Sequence, residues 1–353
     1  MNDEEYLDIN ECFADDSIKY RSERERYSEG ECVFWKNFSD WGKNSNRKDF
    51  CGIYRGIPKE DGKEDDIYCL RDPDSYSERL YKFHERLWNN QKKIMKLNIP
   101  QVIKEKENTW ELHEIDSDNE KFRLSSDSFI SIYWHRENMQ KIVRDVSSNI
   151  TKTSEYIQFK KETEQLDDCT KTIRCYNEDW QQNNPFKLFI WRYLQKANTI
   201  GGFIVFPKHD KPTVNTARNA KFHDRFDLAL ECIRRYYENN SYNPLFSSLN
   251  KEHIQKDIDF FEMFGSFKNY VDFFCLQDWV NDNYEVLDLL GDTPTTPLDA
   301  DKVWKENNIL PCDFKTDDET KVKKWWNLYH NLMYRLEKRN KRIEEILNQK
   351  PNP

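Results

Sequence analysis

The segment HDRFDLALECIRRYY at residues 223–237 combines an apolar helical pattern with a high density of charge. At 100° per residue, five of its apolar side chains share one face of a helix. They are Phe226, Ala229, Leu230, Ile233 and Tyr237. The pattern predicts an amphipathic helix whose apolar face packs against a core.

The opposite face of this helix carries the acids Asp224, Asp227 and Glu231 beside the cations Arg234 and Arg235. Pairs at i, i+4 such as Glu231 and Arg235 favour a solvated face with weak ion pairs, worth about 0.3–0.5 kcal/mol each. The alternative is a carboxylate cluster suited to a divalent metal or to acid–base work, because three acids on one face repel each other. We favour the solvated face.

A polar segment precedes this helix and follows TIGGFIVFP at 199–207, which has the strongest strand pattern in the chain. The segment is predicted to be a loop, and it carries Asn215, Arg218 and His223. A junction from strand to helix directs backbone N–H groups at anions. Neither GxGxxG nor GxxxxGK[ST] occurs here, so both an ordinary surface loop and a site for a small anion remain open.

Arg218 and His223 form an R-x4-H pair, and Arg79 and His84 form another. These pairs resemble the catalytic motif of a class of helical, metal-independent ribonucleases. The resemblance implies that the arginine and the histidine act on the phosphate and the ribose hydroxyl. A motif of two residues has little specificity in an arginine-rich chain.

Residues 253–282 are aromatic on nearly every side, which predicts a buried helix interrupted near Gly265. On such a helix Asp278 shares a face with apolar residues, and a carboxylate there must be paired. We predict that Arg225 or Arg234 is its partner, and that losing Asp278 costs several kcal/mol. The resulting acid–arginine network would brace the polar loop that carries Asn215 and Arg218.

Three further elements complete the predicted fold. Residues 74–97 and 320–349 have helical apolar stripes, and TWELHEIDSDNEKFRL at 109–124 reads as a hairpin. Ser126 or Asp127 is predicted to cap a helix that follows SSDS at 125–128. The fold class predicted from these patterns is α+β, predominantly helical, with a small sheet or hairpins.

Composition limits the classes of function. The net charge is −9 and basic residues are interleaved with acids, so binding of extended duplex nucleic acid is not expected. The nine cysteines form no CxxC pair, which predicts free thiols, no zinc and a cytoplasmic location. We find neither a secretory signal nor an apolar run long enough to span a membrane.

Six blocks of sequence, taken in order, resemble a family of bacterial proteins known only as a domain of unknown function. They are HERLWN at 84–89, RLSSDSF at 123–129, TIGGFIVFP at 199–207, DRFDLALECIRRYY at 224–237, YVDFFCLQDWV at 270–280 and RNKRI at 339–343. The resemblance covers roughly residues 79–343 and implies one main domain, at 76–345. We expect an N-terminal region of unclear structure at 1–75 and a disordered tail at 346–353. The resemblance implies no activity, cofactor or site residue.

The candidate pocket or network therefore rests on nine side chains. They are Asn215, Arg218, His223, Asp224, Arg225, Asp227, Glu231, Arg234 and Asp278. The function we infer is a ligand-binding or interaction module without catalysis, with a small anionic ligand or a protein as its partner. The alternative is a hydrolase or metal-independent ribonuclease centred on residues 218–231. The sequence identifies no cofactor.

Overall fold

The computed structural model describes residues 78–104, 112–115, 120–129, 196–208, 213–239, 242–249, 251–310 and 319–348. The predicted N-terminal region at 1–75 and the helix predicted after residue 129 lie outside these ranges. The described residues contain seven α-helices and four strands. The helices are α1 (Glu78–Met95), α2 (Val214–Phe222), α3 (Phe226–Tyr237), α4 (Lys251–Glu262), α5 (Phe267–Phe273), α6 (Ala300–Glu306) and α7 (Glu319–Asn348). The strands are β1 (Gln101–Lys104), β2 (Leu112–Ile115), β3 (Glu120–Ser128) and β4 (Phe203–Lys208).

The four strands form one antiparallel sheet in the order β1–β2–β3–β4. β2 and β3 are the two arms of the predicted hairpin, with Leu112 opposite Leu124. β4 is at the edge of the sheet that the described strands form, and an edge position tolerates a proline such as Pro207 inside a strand. The predicted fold class, predominantly helical α+β with a small sheet, is confirmed.

Strand β3 corrects the prediction that Ser126 or Asp127 caps a helix. Both residues lie inside β3, where Ser126 is opposite Val205 in β4. Ser126 and Ser128 are buried while Asp127 between them is half-buried, and this alternation is that of a strand. Capping preference was misleading because the buried hydroxyl of Ser126 has a tertiary partner on α1.

A 3-10 turn, Ile200–Gly202, directly precedes β4 in the chain and packs against α7. Gly201 donates its N–H to Oδ1 of Asn340 at 2.6 Å. A Cβ on Gly201 would lie only 2.6 Å from the carbonyl oxygen of Leu336. Glycine is therefore required here, because only a bare backbone can approach α7 this closely.

Helix α3 is buried on almost every side. The predicted stripe through Phe226, Leu230 and Ile233 is buried as expected. Leu228 and Cys232, on the far side, are also fully buried. The prediction that α3 turns a solvated face outward is therefore wrong, because neighbouring elements cover both faces of the helix.

The aromatic segment at 253–282 is broken twice. Gly265, at φ +68°, separates α4 from α5, as predicted. Cys275, at φ +57°, then ends the helical path, and Asp278 falls in a 3-10 turn, Gln277–Trp279. Asp278 is thus not on the α-helical face from which its environment was predicted.

Helix α7 runs for 30 residues and carries its apolar stripe through Leu328, Leu332, Leu336 and Ile343. It packs against α1, the 200–202 turn and the 277–279 turn. It ends at Asn348, so residues 346–348 of the expected tail are helical. No helix among the described residues combines the length and the hydropathy needed to cross a membrane.

Candidate functional site

Arg218 lies on α2, which occupies the segment predicted to be a loop. Its buried guanidinium donates from Nε to Oδ1 of Asn215 at 3.2 Å. Nη1 donates to the carbonyl oxygen of Phe129 at 2.8 Å, and Nη2 to that of Ser128 at 3.0 Å. Nη2 also lies 3.3 Å from Oδ2 of Asp127, which accepts from the amide of Asn215 as well. Arg218 therefore fastens α2 to the end of β3.

The turn between α2 and α3 places two consecutive residues in the left-handed region, His223 at φ 48° and Asp224 at φ 61°. Among non-glycine residues, aspartate and histidine tolerate this region comparatively well. The buried carboxylate of Asp224 lies 3.4 Å from Nη1 of Arg218, and this ion pair helps to hold the turn. His223 is half-buried, and burial lowers the pKa of its imidazole.

Arg225 and Asp227, both fully buried, form a two-point ion pair. Nε of Arg225 donates to Oδ1 of Asp227 at 3.1 Å, and Nη2 donates to Oδ2. Nη2 also reaches Oδ1 of Asp288 at 2.8 Å, while Oδ2 of Asp227 accepts the N–H of Leu289 at 3.0 Å. Burial lowers the pKa of Arg225, but the carboxylates of Asp227 and Asp288 outweigh this and raise it overall. The pair ties α3 to residues 288–289.

Glu231 accepts hydrogen bonds from two arginines of its own helix. Nε and Nη2 of Arg234 donate at 2.7 and 2.8 Å, and Nε of Arg235 donates at 2.7 Å. The three acids of α3 and its preceding turn are thus buried and separately neutralised. Among the described residues, no group of three or more His, Cys, Asp or Glu side chains is placed to hold a metal ion.

Asp278 does not belong to this network. Its Oδ2 accepts from Nε of Arg342 on α7 at 2.7 Å. The side chain of Asp278 is 16% exposed and that of Arg342 is 39% exposed. The prediction that Arg225 or Arg234 is the partner is therefore wrong, because the break at Cys275 turns Asp278 towards α7.

His84 and Ser126 form a contact that also occurs between a base and a nucleophile in hydrolases. Nε2 of His84 lies 2.8 Å from Oγ of Ser126. Burial and, to a smaller extent, the positive charge of Arg339 lower the pKa of His84 to about 3, so the ring is neutral. The two residues are only 3% and 5% exposed, and no described carboxylate orients the ring. The contact holds α1 on β3.

Three rings form what we term the central aromatic cluster: Phe129, Phe226 and Trp279. Phe129 stacks on Trp279 at 5.2 Å, and Phe226 meets each of the other two rings edge-on. Two buried arginines of α7 flank the stack. Cζ of Arg339 lies 4.9 Å from the Phe129 centroid, and Cζ of Arg335 lies 5.1 Å from the Trp279 centroid.

The two arginines differ in how their nitrogens are satisfied. Arg339 donates to four main-chain carbonyl oxygens, those of Phe274, Ile200, Gly201 and Phe203. Arg335 donates from Nη2 to the carbonyl oxygens of Asp288 and Pro294 at 3.3 and 3.2 Å. In the described part of the chain, its buried Nε and Nη1 have no acceptor. Burial lowers the pKa of each guanidinium to about 10.

Sequence reasoning missed both arginines, as well as Asp127 and Asp288. A usable signal existed for the arginines, because Arg335 and Arg339 share the apolar stripe of α7 with Leu332 and Leu336. Asp127 was interpreted only as a helix cap. Asp288 lies in an irregular segment, and nothing in the local pattern marks it.

The six sequence blocks meet around the central aromatic cluster. RLSSDSF supplies Phe129, DRFDLALECIRRYY supplies Phe226 and YVDFFCLQDWV supplies Trp279. RNKRI supplies Arg339, which donates to the carbonyl oxygens of the TIGGFIVFP block. HERLWN joins RLSSDSF through His84.

Comparison with known proteins identifies a family for this chain but no activity. A family model described as "Family of unknown function (DUF6994)" matches residues 61–165 and 166–343. No curated protein and no solved structure matches the chain.

Proposed function

The chain belongs to the DUF6994 family of unknown function, and from that premise we propose that it acts by binding a ligand or a protein partner, without catalysis. The observation that carries this proposal is the saturation of Arg218. Each of its three guanidinium nitrogens already donates to an oxygen of the protein. A ribonuclease arginine must instead direct N–H groups at a phosphate.

The acids support the same proposal. A general base needs an oxygen that can take a proton from a substrate. Both oxygens of Asp227 accept hydrogen bonds within the protein, and both oxygens of Glu231 do so as well. The Arg218–Asp224 ion pair joins α2 to the turn before α3, and Asp227 joins α3 to residue 289, and this arrangement suits a rigid binding scaffold.

We further propose that residues 76–345 act as one domain in a cytoplasmic protein. Blocks from both matched family segments contact each other at the central aromatic cluster, for example Phe129 with Phe226. Cys232 and Cys275 are free and buried, and burial raises the pKa of their thiols to about 12 and about 11. Thiols of this kind are structural and unreactive.

A ribonuclease assay tests the proposal. Wild type and His223→Asn are compared on single-stranded RNA, because asparagine tolerates the left-handed backbone at 223 and removes the imidazole. We expect any cleavage in the preparations to be equal for the two proteins, as it would be for a contaminant. Cleavage that disappears in His223→Asn, at an unchanged unfolding temperature, would establish catalysis and end the proposal.

A further inference from the structure

We propose that Arg335 forms part of an enclosed site for a small oxyanion, such as phosphate, sulfate or a carboxylate group. The inference rests on the proposed binding function and names the chemical class of the ligand. The site lies between α7, the 277–279 turn and residues 288–294, outside the nine residues selected from the sequence.

Within the ranges that the structure describes, several buried N–H donors around Arg335 lack hydrogen-bond acceptors. Among the described residues, no acceptor reaches the buried Nε and Nη1 of Arg335 or Nε1 of Trp279, whose ring lies against this guanidinium. A buried donor without a partner costs about 1–3 kcal/mol, and more when the donor is charged. The described side chains supply no acceptor to any of these three nitrogens.

An oxyanion suits these donors better than a water molecule does. A water molecule accepting from these donors would bring two hydrogens of its own, which would then need acceptors. Both oxygens of Asp227 and Oδ1 of Asp288 already accept from Arg225 or from backbone N–H groups, so they are poor acceptors for such a water. An oxyanion accepts hydrogen bonds and brings none to satisfy.

The balance of charge around Arg335 also favours an anion. Arg335 and Arg339 lie at i, i+4 on α7, and neither contacts a carboxylate among the described residues. Asp227 and Asp288 are bound to Arg225. Counted together, Arg225, Arg335 and Arg339 carry one more unit of charge than Asp227 and Asp288 balance. A buried charge without a counter-charge is costly, and a small anion would remove that cost.

The covering segment explains how an enclosed site could still be reached. Nη2 of Arg335 holds the carbonyl oxygens of Asp288 and Pro294, in the turn-rich segment at 288–298. The isolated bridge between Leu287 and Pro297 and two backbone hydrogen bonds, from Asp288 to Thr296 and from Leu298 to Val286, hold this segment. Exchange of the anion requires this segment to open, so binding should be slow. Because the site is buried, salt should screen the interaction with the anion only weakly.

The test uses the full chain, dialysed free of phosphate, with inorganic phosphate as the probe at constant ionic strength. Unfolding temperature and titration calorimetry are measured for wild type, Arg335→Gln, Trp279→Phe and the matched control Arg342→Gln. Arg342 is a cation of the same helix that is paired with Asp278 and partly exposed. Sulfate and acetate are tested in the same way, because each is also a small oxyanion.

We expect saturable stabilisation of wild type by phosphate and unchanged affinity in Arg342→Gln. Arg335→Gln and Trp279→Phe should each weaken binding about tenfold, as loss of a charge-assisted hydrogen bond does. If Arg335→Gln does not fold, Trp279→Phe decides the matter. Equal stabilisation of wild type and Trp279→Phe means an adventitious ion only and overturns the inference, as does no effect of any of the three anions. Neither result bears on the ribonuclease assay, so the proposed function can stand when this inference falls.

Discussion

Asp227 and Asp278 allow one substitution to be compared in two environments. Each carboxylate is paired with an arginine, Asp227 with Arg225 and Asp278 with Arg342. Asp227 and Arg225 are fully buried, whereas Arg342 is 39% exposed. Replacing each aspartate by alanine therefore separates the effect of burial from the effect of losing an ion pair.

The two substitutions should differ by about 3 kcal/mol in the free energy of unfolding. Asp227→Ala leaves Arg225 buried with only Asp288 as its carboxylate partner and leaves the N–H of Leu289 without its acceptor. Breaking a buried pair in this way costs about 3–5 kcal/mol. Asp278→Ala releases a guanidinium that water can reach, which costs about 1 kcal/mol or less.

Equilibrium urea unfolding, followed by tryptophan fluorescence, measures both values. Asp227→Asn is the informative control, because its amide oxygen can still accept from the N–H of Leu289 while the negative charge is lost. It should fall between wild type and Asp227→Ala. If Asp227→Ala and Asp278→Ala agree within about 1 kcal/mol, burial does not decide the value of these pairs and the reasoning fails.

Four further predictions can be checked with standard measurements. Leu230→Ala, at a fully buried position of α3, should destabilise by about 2–5 kcal/mol in urea melts; a loss below about 1 kcal/mol would contradict the core assignment. Burial raises the pKa of Asp257 to about 7, so its contribution to stability is full below about pH 4 and falls by about 1.4 kcal/mol per pH unit up to about pH 7. Asp257→Asn should therefore melt higher than wild type at pH 8 and no higher at pH 4, and equal shifts at both would show that the carboxyl is not desolvated. Thiol titration of the unfolded chain without reductant should count all nine cysteines as free, and a lower count would reveal a disulfide. Elemental analysis should find no stoichiometric zinc in protein purified without added metal; one zinc per chain would refute this.

The predictable part of the fold comes from periodic patterns longer than two helical turns. Helices α1, α3 and α7 and the hairpin β2–β3 follow from apolar spacing, because burial of a continuous stripe outweighs local preferences. The serines and aspartate at 125–128 show the limit. Their preference for helix caps is worth only about 1 kcal/mol, whereas pairing with β4 satisfies a whole run of backbone groups.

The nine side chains selected from the sequence stay a prediction as a functional site, and the environment predicted for α3 was wrong. Arg218 contacts Asn215 and Asp224, and Arg225 contacts Asp227, but Asp278 does not join them. The network was placed beside a solvated face because the helical wheel was judged from one apolar stripe. Leu228 and Cys232 lie outside that stripe, and their presence already indicated burial on the far side.

A helical wheel of α7 identifies the two buried arginines that were missed. Arg335 and Arg339 lie on the leucine stripe of α7, and neither has an acid three or four residues away. Arg342, one turn further on, has Glu345 at i+3 and is partly exposed. An arginine can normally leave an apolar stripe by extending its head to water, so such a position is easily overlooked. Here the 200–202 turn covers Arg339 and residues 288–294 cover Arg335, and neither head can reach water. An arginine on an apolar stripe without a local acid therefore signals a buried cation whose counter-charge or acceptors must come from elsewhere in the fold or from a ligand.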